Sequence, residues 1–473
     1  MPFWITFRIG KYFLYDLYKQ CVTIISKSLY HLAIRKSTKQ SLIAIKEKKM
    51  AKEFKYRDIV KYPEYRKLLL SSLINRFGDA VDAIAFTWLV YQITHSASWS
   101  ALIFGLNLLP NILVQPFAGA LVEKMDKKKV IVFTHILRGI VISAFVCMYL
   151  AGIVNPFIMA AFTLVITTIE SFNLPASTAF IPGVIRKEHL THAMSLNSTV
   201  SSAIALVGTG IAGIIIAKWG VYTAMLIDAA TFFIAAFITA SVRELQAEGD
   251  APAGSASEDS YLSLLKGGIS YVMKKKVILN YCLIAVALNF LLVPLNSLIA
   301  PIAEECYGLG SELLSVIGMA SAMGAIIGSA IVPMISEKMS AKNSLVAFGI
   351  ILGAAMYALT LGRYLNGSAV YGYLLAGACY VIMTLCASVM VGILGVQFVK
   401  NVEQSYLARA AAIFNASAAA ATPIGSFIVS ACAVSVSPAL LIAASAVLAI
   451  VLFLLVAVSN LKFEMKEELT NAA

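Results

Sequence analysis

From about residue 67 onward the chain is a succession of twelve long apolar runs joined by short polar connectors. They lie at roughly 68–93, 97–121, 129–151, 156–177, 194–217, 220–242, 277–300, 312–335, 343–363, 368–395, 408–432 and 436–460. An α-helix needs about 20 apolar residues to cross ~30 Å of hydrocarbon. In lipid every backbone N–H and C=O has to be satisfied within the segment, which a helix does and a loop does not. Twelve such runs predict an all-α polytopic membrane protein with twelve transmembrane helices. Composition agrees: 60% of the 473 residues are hydrophobic and 13% charged, about half the charged share of a soluble protein.

The longest polar break, 243–276, contains EGDAPAGSASEDS, too polar and small to pack a core. It divides the runs six and six. The expected layout is a basic N-terminal segment over 1–66, a six-helix bundle over 67–242, a linker over 243–276, a second six-helix bundle over 277–460 and a tail over 461–473.

The excess of 37 Lys+Arg over 25 Asp+Glu suggests a nucleic-acid partner until the charges are located. Connectors after the even-numbered runs, with the C-terminal tail, hold 17 of the basic residues, and connectors after the odd-numbered runs hold two, Lys218 and Arg363. Cytoplasmic connectors retain Lys and Arg, so both termini are expected in the cytoplasm of a plasma membrane, and no nucleic acid is needed. Residues 1–49, with ten Lys/Arg and two acids (Asp16 and Glu47), suit a basic segment lying on an anionic inner leaflet. The alternative is that they are an untranslated extension and that translation begins at Met50, which leads directly into the first run. The seven cysteines include no CxxC pair and mostly sit inside apolar runs, so neither a metal site nor a disulfide framework is expected, and no cofactor is.

The halves share a short repeat. The connector after run 2 reads EKMDKK from Glu123 and that after run 8 reads EKMSAK from Glu337. Parallel repeats place a substrate cavity between them near the bilayer midplane.

At these positions the chain resembles the major facilitator superfamily. GALVEKMDKKK from Gly119 is similar to its loop pattern Gly-x-x-x-Asp-Arg/Lys-x-Gly-Arg-Lys/Arg, with Gly119, Glu123, Lys124, Lys127 and Lys128 at matching positions and Asp126 in place of the second glycine. NRFGDAVDAIAFTWLVYQITHSASWSA from Asn75 and NLPASTAFIPGVIRKEHLTHAMSLNS from Asn173 resemble the branch of macrolide-efflux and siderophore-exporter types. The resemblance covers 67–460 and implies a bacterial secondary transporter with a small-molecule substrate, protons as the coupling ion, and a monomer in the lipid bilayer. It departs in run 5, where Gly208, Thr209, Gly210, Ile211, Ala212 and Gly213 stand where drug antiporters of the superfamily carry Gly-Pro-x-x-Gly-Gly. The missing proline weakens the outward direction, not the fold.

Charges in hydrocarbon are costly and normally face a cavity, a partner or a proton path. Six stand out, all in the first half: Arg76, Asp79, Asp82, Arg138, Glu170 and Asp228. Asp79 and Asp82 are one helical turn apart, and two carboxylates that close do not both ionise easily in a dry cavity, which makes them proton-coupling candidates with Arg76 and Arg138 as counter-charges. The same pair could simply brace two helices. Glu170 is a candidate for an inner gate, and Asp228 reads as a peripheral salt-bridge partner. In the loop, Gly119 is expected to permit a close helix contact, Glu123 to accept backbone N–H bonds at a helix start, and Lys124 and Lys127 to pair across the domain interface, with Asp126 and Lys128 in the same gate. Asn107, Asn111 and Gln115, spaced by four, with Asn289 and Asn296, are candidates to line a substrate path, with Phe77 as the stacking candidate. Pro294 and Pro423 mark expected kinks, and Gly318, Gly324 and Gly328 tight crossings.

There is no Gly-x-x-x-x-Gly-Lys-Ser/Thr loop and no HExxH, so an enzyme is not expected and the energy source is an ion gradient. The leading expectation is proton-coupled efflux of an amphipathic organic compound, drug-like, macrolide-like or siderophore-like. An importer or facilitator of a metabolite or lipid, and a non-transporting receptor on the same fold, remain open.

Overall fold

The computed structural model describes residues 62–185, 190–243, 269–364, 369–403 and 406–459. The segment 1–49, Met50 and most of the 243–276 linker lie outside the described residues.

The first half comprises α1 (Pro63–Thr94), α2 (Ala97–Leu113), α3 (Gln115–Glu123), α4 (Lys127–Leu150), α5 (Pro156–Phe180), α6 (Leu190–Trp219) and α7 (Val221–Ala240). The second comprises α8 (Lys276–Ser297), α9 (Ile299–Glu305), α10 (Ser311–Lys338), α11 (Ala341–Leu359), α12 (Ala369–Asn401), α13 (Leu407–Cys432) and α14 (Pro438–Val458). The pairs α2/α3 and α8/α9 each correspond to one apolar run. Pro110 and Pro294 lie four residues before the junctions Val114 and Leu298, whose N–H groups bond to the two proline carbonyls at 2.7 and 3.1 Å. A proline cannot donate to the carbonyl four residues before it, and its ring clashes there, so Pro116 and Pro301, in the first turns of α3 and α9, break the ladder at these junctions. The fold is thus twelve transmembrane helices in two six-helix bundles. Among the described residues, eleven spans are long and apolar enough to cross a membrane on length and composition alone. α1, at 32 residues, is also long enough, and Arg76, Asp79 and Asp82 make it less apolar than the rest.

Helix starts follow the sequence. Ser96, Asp126, Asn155 and Ser340 accept bonds from backbone N–H groups of the first turns they precede, and Pro63, Pro156 and Pro438 occupy first-turn positions where the missing N–H costs nothing. The turn between α6 and α7 runs through Gly220 at φ 82°, a backbone region that disfavours a side chain.

The two bundles repeat one packing scheme. α1 packs on α6 and α7, and α4 on α5 and α7; in the second half α8 packs on α13 and α14, and α11 on α12 and α14. The repeated connectors are built alike. Asp126 caps α4 and Ser340 caps α11 from the fourth position of each hexapeptide. The lysine at the sixth position reaches the carbonyl just past the last helix of its own half: Lys128 Nζ donates to Val242 O at 2.7 Å and Lys342 Nζ to Ser459 O at 2.6 Å. Each lysine therefore meets the negative end of a helix dipole.

The halves meet along two seams, α2 with α13 and α6 with α10. We call the end carrying residues 62, 242 and 459 the near end and the other the far end. The hydrogen bonds between the halves sit toward the far end: Tyr91 Oη donates to Glu305 Oε1 at 2.8 Å, Ser430 Oγ to Ser98 O at 2.9 Å, Ser426 Oγ to Ala101 O at 2.5 Å, and Gly213 N to Ser315 Oγ at 2.7 Å. An apolar cluster of Ala97, Ala101, Val293, Leu298 and Val429 seals the same region. At the near end, Lys275 pairs with Glu403, Tyr271 stacks on Tyr406 and Lys67 pairs with Glu64, each within one half. The far end is closed, and the near-end contacts named here each stay within one half.

Candidate functional site

A network of ionisable residues lies inside the first bundle, where α1, α4, α5 and α7 face one another. Arg138 of α4 donates from Nη2 to Asp79 Oδ1 of α1 at 3.0 Å, and Asn75, one turn earlier on α1, donates to Asp79 Oδ2 at 2.8 Å. The guanidinium lies 4.1 Å from the centre of the Phe232 ring of α7, a cation–π contact that holds it in addition to the carboxylate. Arg138 is 9% exposed. A buried, bidirectionally held arginine of this kind is fixed in place, because removing either contact leaves charge without compensation.

Asp82, one turn beyond Asp79, has a different environment. Its Oδ1 is buried with no hydrogen-bond partner. Asp228 of α7 is 1% exposed and packs against the backbone of Gly78, where a β-carbon would collide with Asp228 Oδ1 and Thr231 Oγ1. Gly78 and Asp82 share a face of α1, four residues apart, so Asp228 reaches the same face as Asp82 because Gly78 has no side chain. Asp228 had read as a peripheral partner on the sequence; it is an interior member of the cluster instead. His135, one turn before Arg138 and 5% exposed, lies 5.8 Å from Phe232 with its Nδ1 unbonded.

Two cavities meet at this network. One, of ≈ 320 Å³, extends toward the near end and is lined by Tyr65, Asn75, His135, Asn173, Ser177 and Asn197 among others. The other, of ≈ 340 Å³, lies toward the closed far end and is lined by Asp82, Phe86, Phe104 and Asn107 of the first bundle and by Asn296 and Ser297 of the second. Arg76, Asp79, Arg138 and Glu170 line both. The four residues form the partition between a route to the near end and a chamber against the second bundle.

Of the residues expected at the site, the structure brings Arg76, Asp79, Asp82, Arg138 and Glu170 together, and it places Asn107 and Asn296 in the chamber wall. Several expectations need correction. Arg76 does not pair with Asp79; Arg138 takes that carboxylate, and Arg76 is exposed with no ion pair among the described residues. Phe77 packs on α6, its carbonyl and ring lying against Gly208, because it points away from the α1 face that carries Asp79 and Asp82. Asn111 accepts a bond from Ser171 of α5 at 3.2 Å, Asn289 bonds back to Ala285 O of its own helix, and Gln115 lies past the bend at Val114, outside both cavities.

The loop at 119–128 also differs in its parts. Nothing lies within 4 Å of where a Gly119 side chain would start, so the glycine makes no close crossing. Glu123 ends α3 and is exposed, and the helix-start role expected of it falls to Asp126, whose Oδ1 accepts from Lys129 N at 3.1 Å. That backbone N–H bond holds the Asp126 carboxyl below the usual carboxylate range. Lys127 bonds Glu123 O at 2.9 Å and Lys128 bonds Val242 O, so neither crosses between halves here. Lys124 is exposed.

His135, Phe232, Asn75 and Asn173 were not singled out on the sequence. His135 had a usable signal, its position one turn from Arg138 on a single helix face; Phe232 is one of 24 phenylalanines and only the fold selects it.

The sequence pattern of the Major Facilitator Superfamily matches residues 68–397. The chain is similar to the multidrug efflux pump Tap of Mycolicibacterium fortuitum, 25% identical over 294 residues, covering 61% of this chain and 71% of that one. It is also similar to macrolide efflux protein A of Streptococcus pyogenes, 22% identical over 356 residues, covering 74% and 85%. Among solved structures, the nucleoside transporter NupG superposes with a TM-score of 0.65 at 12% identity, over 84% of this chain and 98% of that one.

Proposed function

The chain belongs to the Major Facilitator Superfamily, a multi-pass membrane transporter and not an enzyme, and on that premise we propose that it exports an amphipathic organic compound by proton-coupled alternating access, with Asp82 as the proton carrier. The observation that carries this reading is the position of Asp82 beside the fixed Arg138–Asp79 pair, with one oxygen buried and unbonded, in the wall of the chamber between the two bundles. A carboxyl so placed can take up a proton without breaking a hydrogen bond at that oxygen, and its charge state alters the balance of the partition formed by Arg76, Asp79, Arg138 and Glu170.

The Lys/Arg bias assigns the near end to the cytoplasm, and the far-end bonds then belong to an inward-facing state. Closing the near end would bring the exposed Glu123 and Lys124 toward the second bundle, so the loop keeps its gate role for the opposite state. Efflux as the direction is supported by the efflux activities in the names of the relatives.

The test is transport in proteoliposomes of the purified chain, with a panel of macrolides, cationic dyes and siderophores and an imposed pH gradient. Wild type should move at least one compound outward, and Asp82→Asn should lose most of the gradient-driven component while folding normally. Full gradient-driven transport by Asp82→Asn would refute the carrier assignment; accumulation in the opposite sense would replace efflux with import.

A further inference from the structure

We propose that Arg76 is the substrate anchor of this transporter and that the compound it moves carries a carboxylate. The proposal rests on the transporter reading above but not on its direction or its coupling ion.

The two arginines inside the first bundle are in opposite situations. Arg138 is buried, paired with Asp79 and stacked on Phe232. Arg76 is exposed, forms no ion pair or hydrogen bond among the described residues, and lines both the near-end cavity and the inner chamber. It lies 13 residues into α1, about 20 Å along the helix axis, well inside the span. An arginine at such depth is expensive unless it faces water or a partner. Among the described residues no ion-pair partner is supplied: Asp79, one turn away, is occupied by Arg138 and Asn75, and Glu170, across the cavity on α5, is not within ion-pair distance. What remains is the cavity's content.

The planar guanidinium fork matches a carboxylate, with two parallel N–H donors to two oxygens. The groups around it suit a polar acid more than a wholly apolar body. Asn75, Asn107 and Asn296 offer amide donors, and the second bundle adds no charge that would compete, only Asn296 and Ser297. Phe86 and Phe104, in the same chamber, leave room for an apolar portion. A carboxylate leaving a negative cell interior also moves with the membrane potential, so the assignment sits with outward transport.

The experiment is a thermal-shift titration of the purified full chain in detergent at constant ionic strength, with citrate, 1-naphthoate, the uncharged 1-naphthamide and tetraphenylphosphonium as probes. At least one of the two carboxylates should raise Tm, and naphthamide should not. Arg76→Gln should weaken the effective carboxylate at least tenfold, and Arg76→Lys should retain part of the effect. No shift with either carboxylate, a shift undiminished in Arg76→Gln, or an equal shift with naphthamide overturns the proposal. So does stabilisation by tetraphenylphosphonium alone. Should Arg76→Gln fail to fold, Arg76→Lys and the naphthoate–naphthamide comparison on wild type decide it. Binding is read at equilibrium without a gradient, so a failed Asp82 transport test and a failed Arg76 test are separate results.

Discussion

The two bundles share one scaffold and differ in what fills it. Both repeat the same helix pairings, both cap the helix after the repeated connector from its fourth position, and both tie that connector to the end of their last helix with a lysine. The first bundle encloses Arg76, Asp79, Asp82, Arg138, Glu170 and Asp228. The interior of the second, away from helix ends, holds neutral bonds such as Ser445 Oγ to Leu291 O and Tyr380 Oη to Leu295 O, and glycine crossings. Duplicated backbone geometry therefore does not duplicate chemistry. One bundle carries charge in its interior and the other is packed by neutral groups, and each can be stressed separately.

The largest effect is expected where the first bundle's charge balance is removed. Arg138→Gln removes the guanidinium bonded to Asp79, and breaking one side of a buried pair costs about 3–5 kcal/mol. Denaturation in detergent should show that loss, and Asp79→Asn in the Arg138→Gln background should recover most of it while transport stays impaired. If Arg138→Gln alone is as stable as wild type, the pair does not brace α1 against α4 and the contrast between bundles collapses.

The second bundle should break by volume instead. Gly324 and Gly328 of α10 lie where a β-carbon would strike the backbone carbonyls of Val381 and Leu385 of α12. Gly328→Leu should destabilise by about 1–3 kcal/mol, the usual scale of overpacking, whereas Gly119→Leu, with nothing within 4 Å, should stay within ~0.5 kcal/mol. A Gly119→Leu cost equal to that of Gly328→Leu would show that crossing distance is not what the second bundle depends on.

How much of this was legible in the sequence follows from which physical signals are local. The twelve spans, the split into halves and the repeat at Glu123 and Glu337 were legible because hydrophobic length and connector charge are properties of single segments. Asp79, Asp82 and Arg138 were visible because ionisable groups are rare in hydrocarbon. Which arginine Asp79 would choose was not, since Arg76 is nearer in sequence and Arg138 reaches it only through the packing of α4 on α7 and α7 on α1. Asp228 looked peripheral because its access to the α1 face depends on the missing side chain of Gly78 on another helix. Asn107, Asn111 and Gln115 share a face of an ideal helix, but the span breaks at Val114, ahead of Pro116, between the second and third of them. The far-end seam was illegible for a simpler reason: Ser98, Ser315, Ser426 and Ser430 carry no charge and no periodicity to mark them.

That seam provides the smallest predicted effect and the one that joins the two bundles. Ser315 Oγ accepts the Gly213 N–H across α6 and α10, and Ser426 Oγ donates to Ala101 O across α2 and α13, at positions the repeat relates to one another. A neutral hydrogen bond contributes about 1 kcal/mol net, so Ser315→Ala should move the balance between far-end-closed and far-end-open states by about fivefold toward open without altering stability much. Site-directed labels on the far ends of α6 and α10 would report the shift as a larger population at long distance. Because the repeat relates the two positions, Ser426→Ala should produce a shift of similar size measured between α2 and α13. A shift at one seam and none at the other would mean that the charged bundle, whose α2 and α6 supply one side of each contact, governs the two seams unequally, and the repeat would then describe the scaffold's shape but not its motion.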